Sequence, residues 1–415
     1  HALVRRQRQM CIRDSGRAFI AGADISEFGG NVEGISLNDV FKKLEFCKKP
    51  IVAAINGIAL GGGLETALCC NYRIASKTAF VGLPEVNLGL LPGGGGTQRL
   101  PRLAGPAEAL KMMLTGSHVS AKQALDLGII DNIAEDIVTE SIEFIKEKAK
   151  STEIHPKVRD FNEKMIEARG NDTVLLEAQA MAAKGRKGQF APGQIIKCVE
   201  AAINIDDFDE GLKKEGDYFL ECLVHPQREA MIHIFFGERA ASKISDVPKD
   251  TKIMDIKKAG IIGSGTMGGG IAMCFANAGI PVHIIDQDQE NLDRGISVIE
   301  KNYDFMVNRG RLTSEQKESI FGSISTGLDY KDLHDVDIAI EAVYENLDLK
   351  LDIFKSLDEH VQKNAILASN TSGLDVDAIA AVTKRPEKVV GTHFFSPANI
   401  MRLLEVVRGE HTSHE

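Results

Sequence analysis

Apolar residues between positions 17 and 135 come in short blocks, among them AFIAGAD, IVAAINGIAL and RIASKTAFVGL. Such blocks, bounded by Gly or Asn, predict buried strands alternating with helices. Residues 107–114 and 121–127 predict short helices, and 137–150 a charged one. From 150 to 250 glycine becomes sparse and charge dense, while apolar residues recur at helical spacing in YFLECLVHPQREAMIHIFFGERAASKI. That stretch predicts a packed helical connector, because its Phe, Ile and Leu faces need burial. At Ile256 the pattern changes again. KKAGIIGSGTMGGGIAMCFANAGIPVHIIDQD reads as strand, glycine turn, helix, strand, acid, and later strands follow at DIAIEAV, AILASNTS and VVGTHFFSP. Alternating β and α patterns of this kind predict a doubly wound parallel sheet.

A chain of 415 residues is too long for one ordinary core, so two or more domains are expected. A formal net charge of -10 argues against nucleic acid as a main partner, and the lack of Trp weakens any base-stacking role. The seven cysteines show no CxxC pair and no Cys/His cluster with metal-ligand spacing, so no metal is expected and free thiols are. The weakly charged run 51–64 is shorter than the roughly 20 residues of a membrane helix, and no membrane span is expected. MCIRDS at 10–15 resembles a translated sequencing adapter, so 1–15 is expected to be a non-native segment.

Chemistry enters at two places. In the second half, Gly263, Gly265 and Gly268 form G-x-G-x-x-G between an apolar strand and a helix, and Asp286 follows eighteen residues after Gly268. Gly263 suits the tight turn, Gly265 the approach of a pyrophosphate, and Gly268 close helix–strand packing. The helix start offers N–H groups and partial positive charge to the phosphates. Glycine turns also form for packing alone, but the acid stands where a ribose partner belongs. With no Arg among the three residues after Asp286, the carboxylate favours NAD over NADP. A hydride transfer needs a base, and His393 in GTHFFSP is the candidate, with Glu405 able to orient it and Ser372 able to bond the reacting oxygen. Ordinary hydrogen bonding at a strand end and turn chemistry in SNTSG are the plain readings of the same residues.

GIIGSGTMGGGIA, EAVYENL, ASNTSGL and GTHFFSPANIMRLLEVV together resemble the NAD-binding domain of the 3-hydroxyacyl-CoA dehydrogenase family, from about residue 256 onward. The resemblance implies His393 as base, Glu405 as its partner, Ser372 at the substrate oxygen and Glu345 near the nicotinamide. Many members of the family carry Asn where this chain has Ser396.

In the first half, two glutamates sit in apolar, glycine-rich surroundings: Glu65 in LGGGLETALCC and Glu85 in LPEVNLGLLPGGGGTQRL. Hydrating a 2-enoyl thioester needs a water held between a base and an acid, and two backbone N–H groups aimed at the thioester oxygen. Glycines allow a backbone that close, and an apolar surround raises carboxyl pKa values. Gly62 opens the helix that carries Glu65, and Ala23 in AFIAGADISEF could give the second N–H. Packing glycines and solvated charges are the alternative. AFIAGAD, NGIALGGGLETALCCNYRIAS and LPEVNLGLLPGGGGTQRLPRL together resemble the enoyl-CoA hydratase, or crotonase, family over about 16–175. The resemblance implies Ala23 and Gly62 as the oxyanion hole and Glu65 with Glu85 as the catalytic pair.

The expected architecture is therefore α/β: a partial crotonase-type ββα spiral over 16–175, a helical connector over 176–255, and a Rossmann-type doubly wound sheet over 256–415. The order resembles fatty acid β-oxidation multifunctional enzymes, with both ends of the chain expected to be cut. That resemblance implies acyl-CoA thioester substrates and NAD, and leaves open a thiolase partner or self-association of the full-length protein. It implies a cytoplasmic location in a bacterium or a peroxisomal one in a eukaryote. A catalytically incomplete CoA- and NAD-binding piece, or an isomerase fused to the dehydrogenase, are the competing readings.

Overall fold

The computed structural model describes residues 11–12, 18–22, 24–25, 36–150, 154–241, 243–244, 246–248 and 250–414. The chain divides into two units, His1–Lys243 and Ile244–Glu415.

The described residues of the first unit form two four-stranded sheets. One has the order β1 (Cys11–Ile12), β3 (Val52–Ile55), β5 (Tyr72–Ser76), β8 (Asn132–Ala134). The other has β2 (Ala18–Ile20), β4 (Ile58–Leu60), β6 (Phe80–Gly82), β7 (Val119–Ser120). Successive strands switch sheets: β3 runs through Asn56 and Gly57 into β4, and β5 through a turn into β6. All pairings are parallel except β6 with β7, so every return needs a helix. Repeated strand, strand, helix is the ββα spiral. The four residues of β3 are all buried, which accounts for its unbroken apolar run where a one-faced strand would alternate.

The helices of this unit are α1 (Leu37–Glu45), α2 (Gly62–Leu68), α3 (Gly96–Ala104), α4 (Pro106–Thr115), α5 (Ala121–Asp126) and α6 (Ile137–Lys148). They continue with α7 (Glu163–Ala168), α8 (Thr173–Gly185), α9 (Ala191–Asn204), α10 (Phe208–Val224) and α11 (Pro226–Ala241). α8 to α10, in the stretch expected as a connector, pack within the unit: Ile195, Cys198, Val199 and Cys222 join the same core as Leu64, Leu83 and Leu100. α10 presents Gly211, Glu215 and Phe219, one residue per turn, to α3 and the glycine run before it. A Cβ at Gly211 would lie 2.5 Å from Gln98 Oε1, and one at Gly93 would lie 2.6 Å from the Phe219 ring.

The second unit is one seven-stranded sheet of β9 (Ala259–Ile262), β10 (Val282–Ile285), β11 (Ile324–Gly327), β12 (Ile338–Glu341), β13 (Ile366–Ser369), β14 (Val389–Phe394) and β15 (Leu404–Arg408). Its spatial order is β11-β10-β9-β12-β13-β14-β15, parallel but for the β14–β15 pair. The order reverses between β9 and β12, and ligands of such sheets bind in the crevice beyond the strand ends at that point. Alternation along β12 sends Ile340 to a core shared with Ile261 and Ile271, and Ala339 to one shared with Phe354 and Leu357. α12 (Thr266–Asn277), α13 (Gln289–Asn308), α14 (Ser314–Phe321), α15 (Leu347–His360) and α16 (Val376–Ala380) complete the unit. No helix among the described residues is long and apolar enough to cross a membrane.

Candidate active sites

In the first unit, the turn between β4 and α2 brings three pieces of backbone together. Gly61 has a φ of +55°, a conformation that L side chains rarely adopt, and its N–H donates to the Gly82 carbonyl at 2.9 Å. A Cβ there would sit 3.0 Å from Glu85 Oε1 and 4.0 Å from Gly22 Cα. A Cβ at Gly63 would overlap the Ile20 carbonyl oxygen, so the start of α2 lies directly on the end of β2. Gly62 opens α2, where N–H groups lack partners within the helix. Ala23, the other expected donor, lies outside the described residues, one position beyond Gly22.

Glu65 is 3 % exposed. Its Oε1 accepts the N–H groups of Gly94 at 2.7 Å and Gly96 at 2.8 Å. Burial raises its pKa, against those two bonds and the Arg99 guanidinium, which lower it. Glu85 opens a short 3-10 turn after Pro84. Its Oε2 is buried with no hydrogen-bond partner among the described residues. Burial pushes its pKa well up, and the charges of Glu65 and Glu215 push it further. A third carboxyl, unforeseen from the sequence, adjoins them. Glu215 on α10 is 1 % exposed and its pKa is raised to about 8 by burial and by Glu65. Arg99, buried beside this group, is held by Glu45 through two bonds of 3.0 Å and donates to the Gly94 carbonyl.

In the second unit, the three motif glycines meet three different surroundings. Gly263 has a φ of +99°, and a Cβ there would lie 2.8 Å from the Ala342 carbonyl oxygen at the end of β12. A Cβ at Gly268 would overlap the Gly263 carbonyl oxygen. A Cβ at Gly265 would meet nothing within 4 Å. No side chain caps the first turn of α12. The loop is thus packed against backbone at two glycines and opens outward at the one where a pyrophosphate has to come close. Above it lies a cleft of about 810 Å3 lined by Gly263 to Met267, Asp286, Tyr344 and Asn399. Its size and place suit a dinucleotide. Asp286 Oδ2 accepts the Ser264 N–H at 2.7 Å and the Ser264 hydroxyl at 2.6 Å, so the acid also braces the turn.

Further along the same sheet, His393 on β14 stands directly opposite Glu405 on β15. The His393 Nδ1 to Glu405 Oε2 distance is 2.7 Å. Glu345 Oε1 accepts from the Thr371 hydroxyl at 2.5 Å and from the Ser372 N–H at 2.9 Å. Glu345 Oε2 lies 3.3 Å from Lys350 Nζ, and these partners hold its pKa low despite burial. Lys350 and Glu341 are both fully buried and paired at 2.8 Å, with Ser369 donating to the same carboxylate at 2.7 Å. This buried pair is not evident in the sequence. The alternation of β12 is the available signal, since Glu341 shares a face with Ala339. Among the described residues no group of His, Cys, Asp and Glu could hold a metal ion.

Two family profiles match: enoyl-CoA hydratase/isomerase over residues 6–190, and the NAD binding domain of 3-hydroxyacyl-CoA dehydrogenase over 258–415. The chain joins members of these two families. The hydratase/isomerase family accounts for the ββα spiral, and the dehydrogenase family for the seven-stranded sheet. The chain is 40% identical over 408 residues to a peroxisomal bifunctional enzyme of Danio rerio, covering 97% of this chain and 55% of that protein. It is also 40% identical over 407 residues to the peroxisomal bifunctional enzyme of Homo sapiens, covering 95% and 55%. A fatty acid oxidation complex subunit alpha of Shewanella oneidensis is 37% identical over 411 residues, covering 96% and 58%. The chain therefore spans a little over half the length of these relatives.

Proposed function

We propose that the protein hydrates 2-enoyl-CoA to 3-hydroxyacyl-CoA in its first unit and oxidises that product to 3-ketoacyl-CoA with NAD in its second. The observation that carries the first step is the unequal treatment of two carboxyls. Glu65 has two N–H donors on one oxygen and can hold negative charge. Glu85 has a buried oxygen without a partner and the stronger push toward its protonated form. Glu65 then takes a proton from water, the hydroxide adds to carbon 3, and Glu85 gives its proton to carbon 2. Gly62 N–H, with Ala23 N–H beside it, stabilises the thioester oxygen as charge develops there. Proton exchange with solvent resets the pair.

For the second step, Gly263, Gly265, Gly268 and Asp286 hold the dinucleotide, and Glu345 lies by its nicotinamide end. When bound, NAD supplies the hydride acceptor. His393 turns Nδ1 to Glu405, which leaves Nε2 to take the alcohol proton, and the carboxylate stabilises the imidazolium. Ser372 bonds the substrate oxygen. The compartment follows the source: cytoplasm in a bacterium, peroxisome in a eukaryote, with acyl-CoA as substrate and a thiolase as a downstream partner of the full-length protein.

The test is crotonyl-CoA hydration and NAD-dependent oxidation of 3-hydroxybutyryl-CoA by the chain, with Glu65→Gln and Glu85→Gln as variants. Each variant is expected to lose about 10²–10⁴-fold in hydration with NADH binding intact. Hydration at the parent rate by both variants refutes the assignment.

A further inference from the structure

Glu215 stands 120 positions after Gly95 and reaches the same glycine run as Glu65. Its Oε1 accepts the Gly95 N–H at 2.6 Å. Its Oε2 accepts the Thr97 N–H at 3.0 Å and the Thr97 hydroxyl at 2.5 Å. The Thr97 oxygen in turn accepts from Gln98 Nε2 at 3.1 Å, which directs its own hydrogen to Glu215. Gly94 and Gly96 donate to Glu65. Four successive N–H groups therefore alternate between two carboxylates. Gly94, Gly95 and Gly96 have no side chains to fix their peptide planes, and Gly95 has a φ of +88°. The direction of each N–H in this segment is set by what accepts it.

We propose that Glu215 is a positioning residue of the hydration site: by holding Gly95 and Thr97 from α10, it turns the Gly94 and Gly96 N–H groups onto Glu65. The inference rests on the hydratase reading above. It also gives Glu215 an electrostatic part. The groups that face it are Glu65 from α2, Glu85 from the turn after β6, Arg99 from α3 and the Cys198 thiol from α9. Glu45 on α1 neutralises Arg99 from behind. With Arg99 so engaged, the charge that Glu215 takes on as pH rises toward about 8 raises the proton affinity of Glu85. A glutamine at 215 keeps the shape, removes that charge and replaces one acceptor oxygen by a donor.

The experiment combines hydration kinetics against pH with a 13C NMR titration of glutamate side chains labelled at the carboxyl carbon. Glu215→Gln is expected to lower kcat by about 10²-fold, the loss expected when a reacting group is misplaced by about 1 Å, with KM within about twofold. Its alkaline limb, where Glu85 loses its proton, should move to lower pH. Thr97→Val removes one of three donors and keeps the charge. It should give a smaller kcat loss with KM unchanged, and it carries the test if Glu215→Gln does not fold. Parent kcat and an unmoved pH profile in a folded Glu215→Gln overturn the proposal, as does parent kcat in Thr97→Val when that variant stands alone. A parent chain that hydrates no 2-enoyl-CoA refutes the functional reading instead. The NMR titration then still decides the inference: in Glu215→Gln the Glu85 carboxyl must titrate lower and the Glu65 carboxyl, with its donors turned away, higher, and unchanged midpoints overturn it.

Discussion

Gly265→Ala and Gly268→Ala differ by three positions, and the structure gives them opposite outcomes. At Gly268 the new methyl would overlap the Gly263 carbonyl oxygen, with Ile261 Cγ2 also at 3.3 Å. Backbone on one side and a core side chain on the other leave it no way out. Overpacking of this kind costs about 1–3 kcal/mol. In a unit spanning Ile244–Glu415 that lowers Tm by roughly 2–12 °C, at about 2–4 °C per kcal/mol. At Gly265 the φ is -65°, which alanine adopts freely, and among the described residues nothing beyond the adjoining backbone stands within 4 Å of the new methyl. Alanine is a poorer N-cap than glycine by roughly 0.5 kcal/mol. The smaller entropy of the unfolded chain returns about 0.4–1 kcal/mol. Tm should therefore stay within about 2 °C of the parent. NADH binding should nevertheless weaken at least about tenfold, or about 1.4 kcal/mol, because the methyl occupies the approach of the pyrophosphate. Thermal melting and NADH fluorescence titration of both variants make the check. A Gly265→Ala protein that binds NADH like the parent refutes the approach argument. Equal melting losses in the two variants refute the packing argument.

Asp286→Ala should weaken NADH binding and narrow its preference over NADPH, since the carboxylate both bonds the ribose and repels a 2′-phosphate; equal affinities of the parent for the two cofactors would overturn this. In the oxidation of a 3-hydroxyacyl-CoA, Glu405→Gln should slow turnover at saturating substrate while leaving KM nearly unchanged, because the partner at 2.7 Å from His393 then stabilises the imidazolium less; a pure KM effect would assign Glu405 to binding. The pKa of Glu215 is raised in the folded state to about 8, so the stability tied to its proton is full below about 4.5 and is lost as pH rises toward 8. Glu65 and Glu85 are shifted in the same direction. Urea unfolding of the first unit should accordingly show stability falling between pH 5 and 8 by more in the parent than in Glu215→Gln, and parallel pH dependences would contradict the shift.

What the sequence disclosed was what lies close together along it. The G-x-G-x-x-G turn, its strand and its acid are separated by tens of residues at most, and each glycine's part follows from local sterics. Glu65 and Glu85 were legible for a similar reason: a charge inside an apolar, glycine-rich run is costly unless something specific receives it. His393 and Glu405 are neighbours only because β15 turns back antiparallel on β14, and the family resemblance supplied that pairing before the register did. Glu215 offered no such cue. It sits in FDEGLKKEGDYFLE, where six acidic or basic residues surround it and a solvated helix face is the natural reading. Only Phe208, Gly211, Glu215 and Cys222, at spacings of three, four and seven, mark the buried stripe, and glycine and glutamate are not residues that hydrophobic periodicity counts. Lys350 was hidden in the same way, as one lysine among the charges of LDLKLD.

Three contacts require glycine in the run before α3. Gly94 faces Glu65, where a Cβ would come within 2.7 Å of Oε2, and Gly96 faces it two residues on, where a Cβ would lie 2.8 Å from Oε1. Gly93 faces Phe219. Side chains there would push the carboxylate and the backbone apart, and the N–H groups that hold Glu65 would be lost with them. A buried carboxylate deprived of its donors keeps its proton. Glu65 would then be an acid beside the acid Glu85, and no base would remain for the water. The requirement for glycine on this segment is thus a requirement on the charge state of Glu65. It applies as much to Gly95, whose N–H leads the other way, because one peptide plane cannot be turned without turning its neighbours.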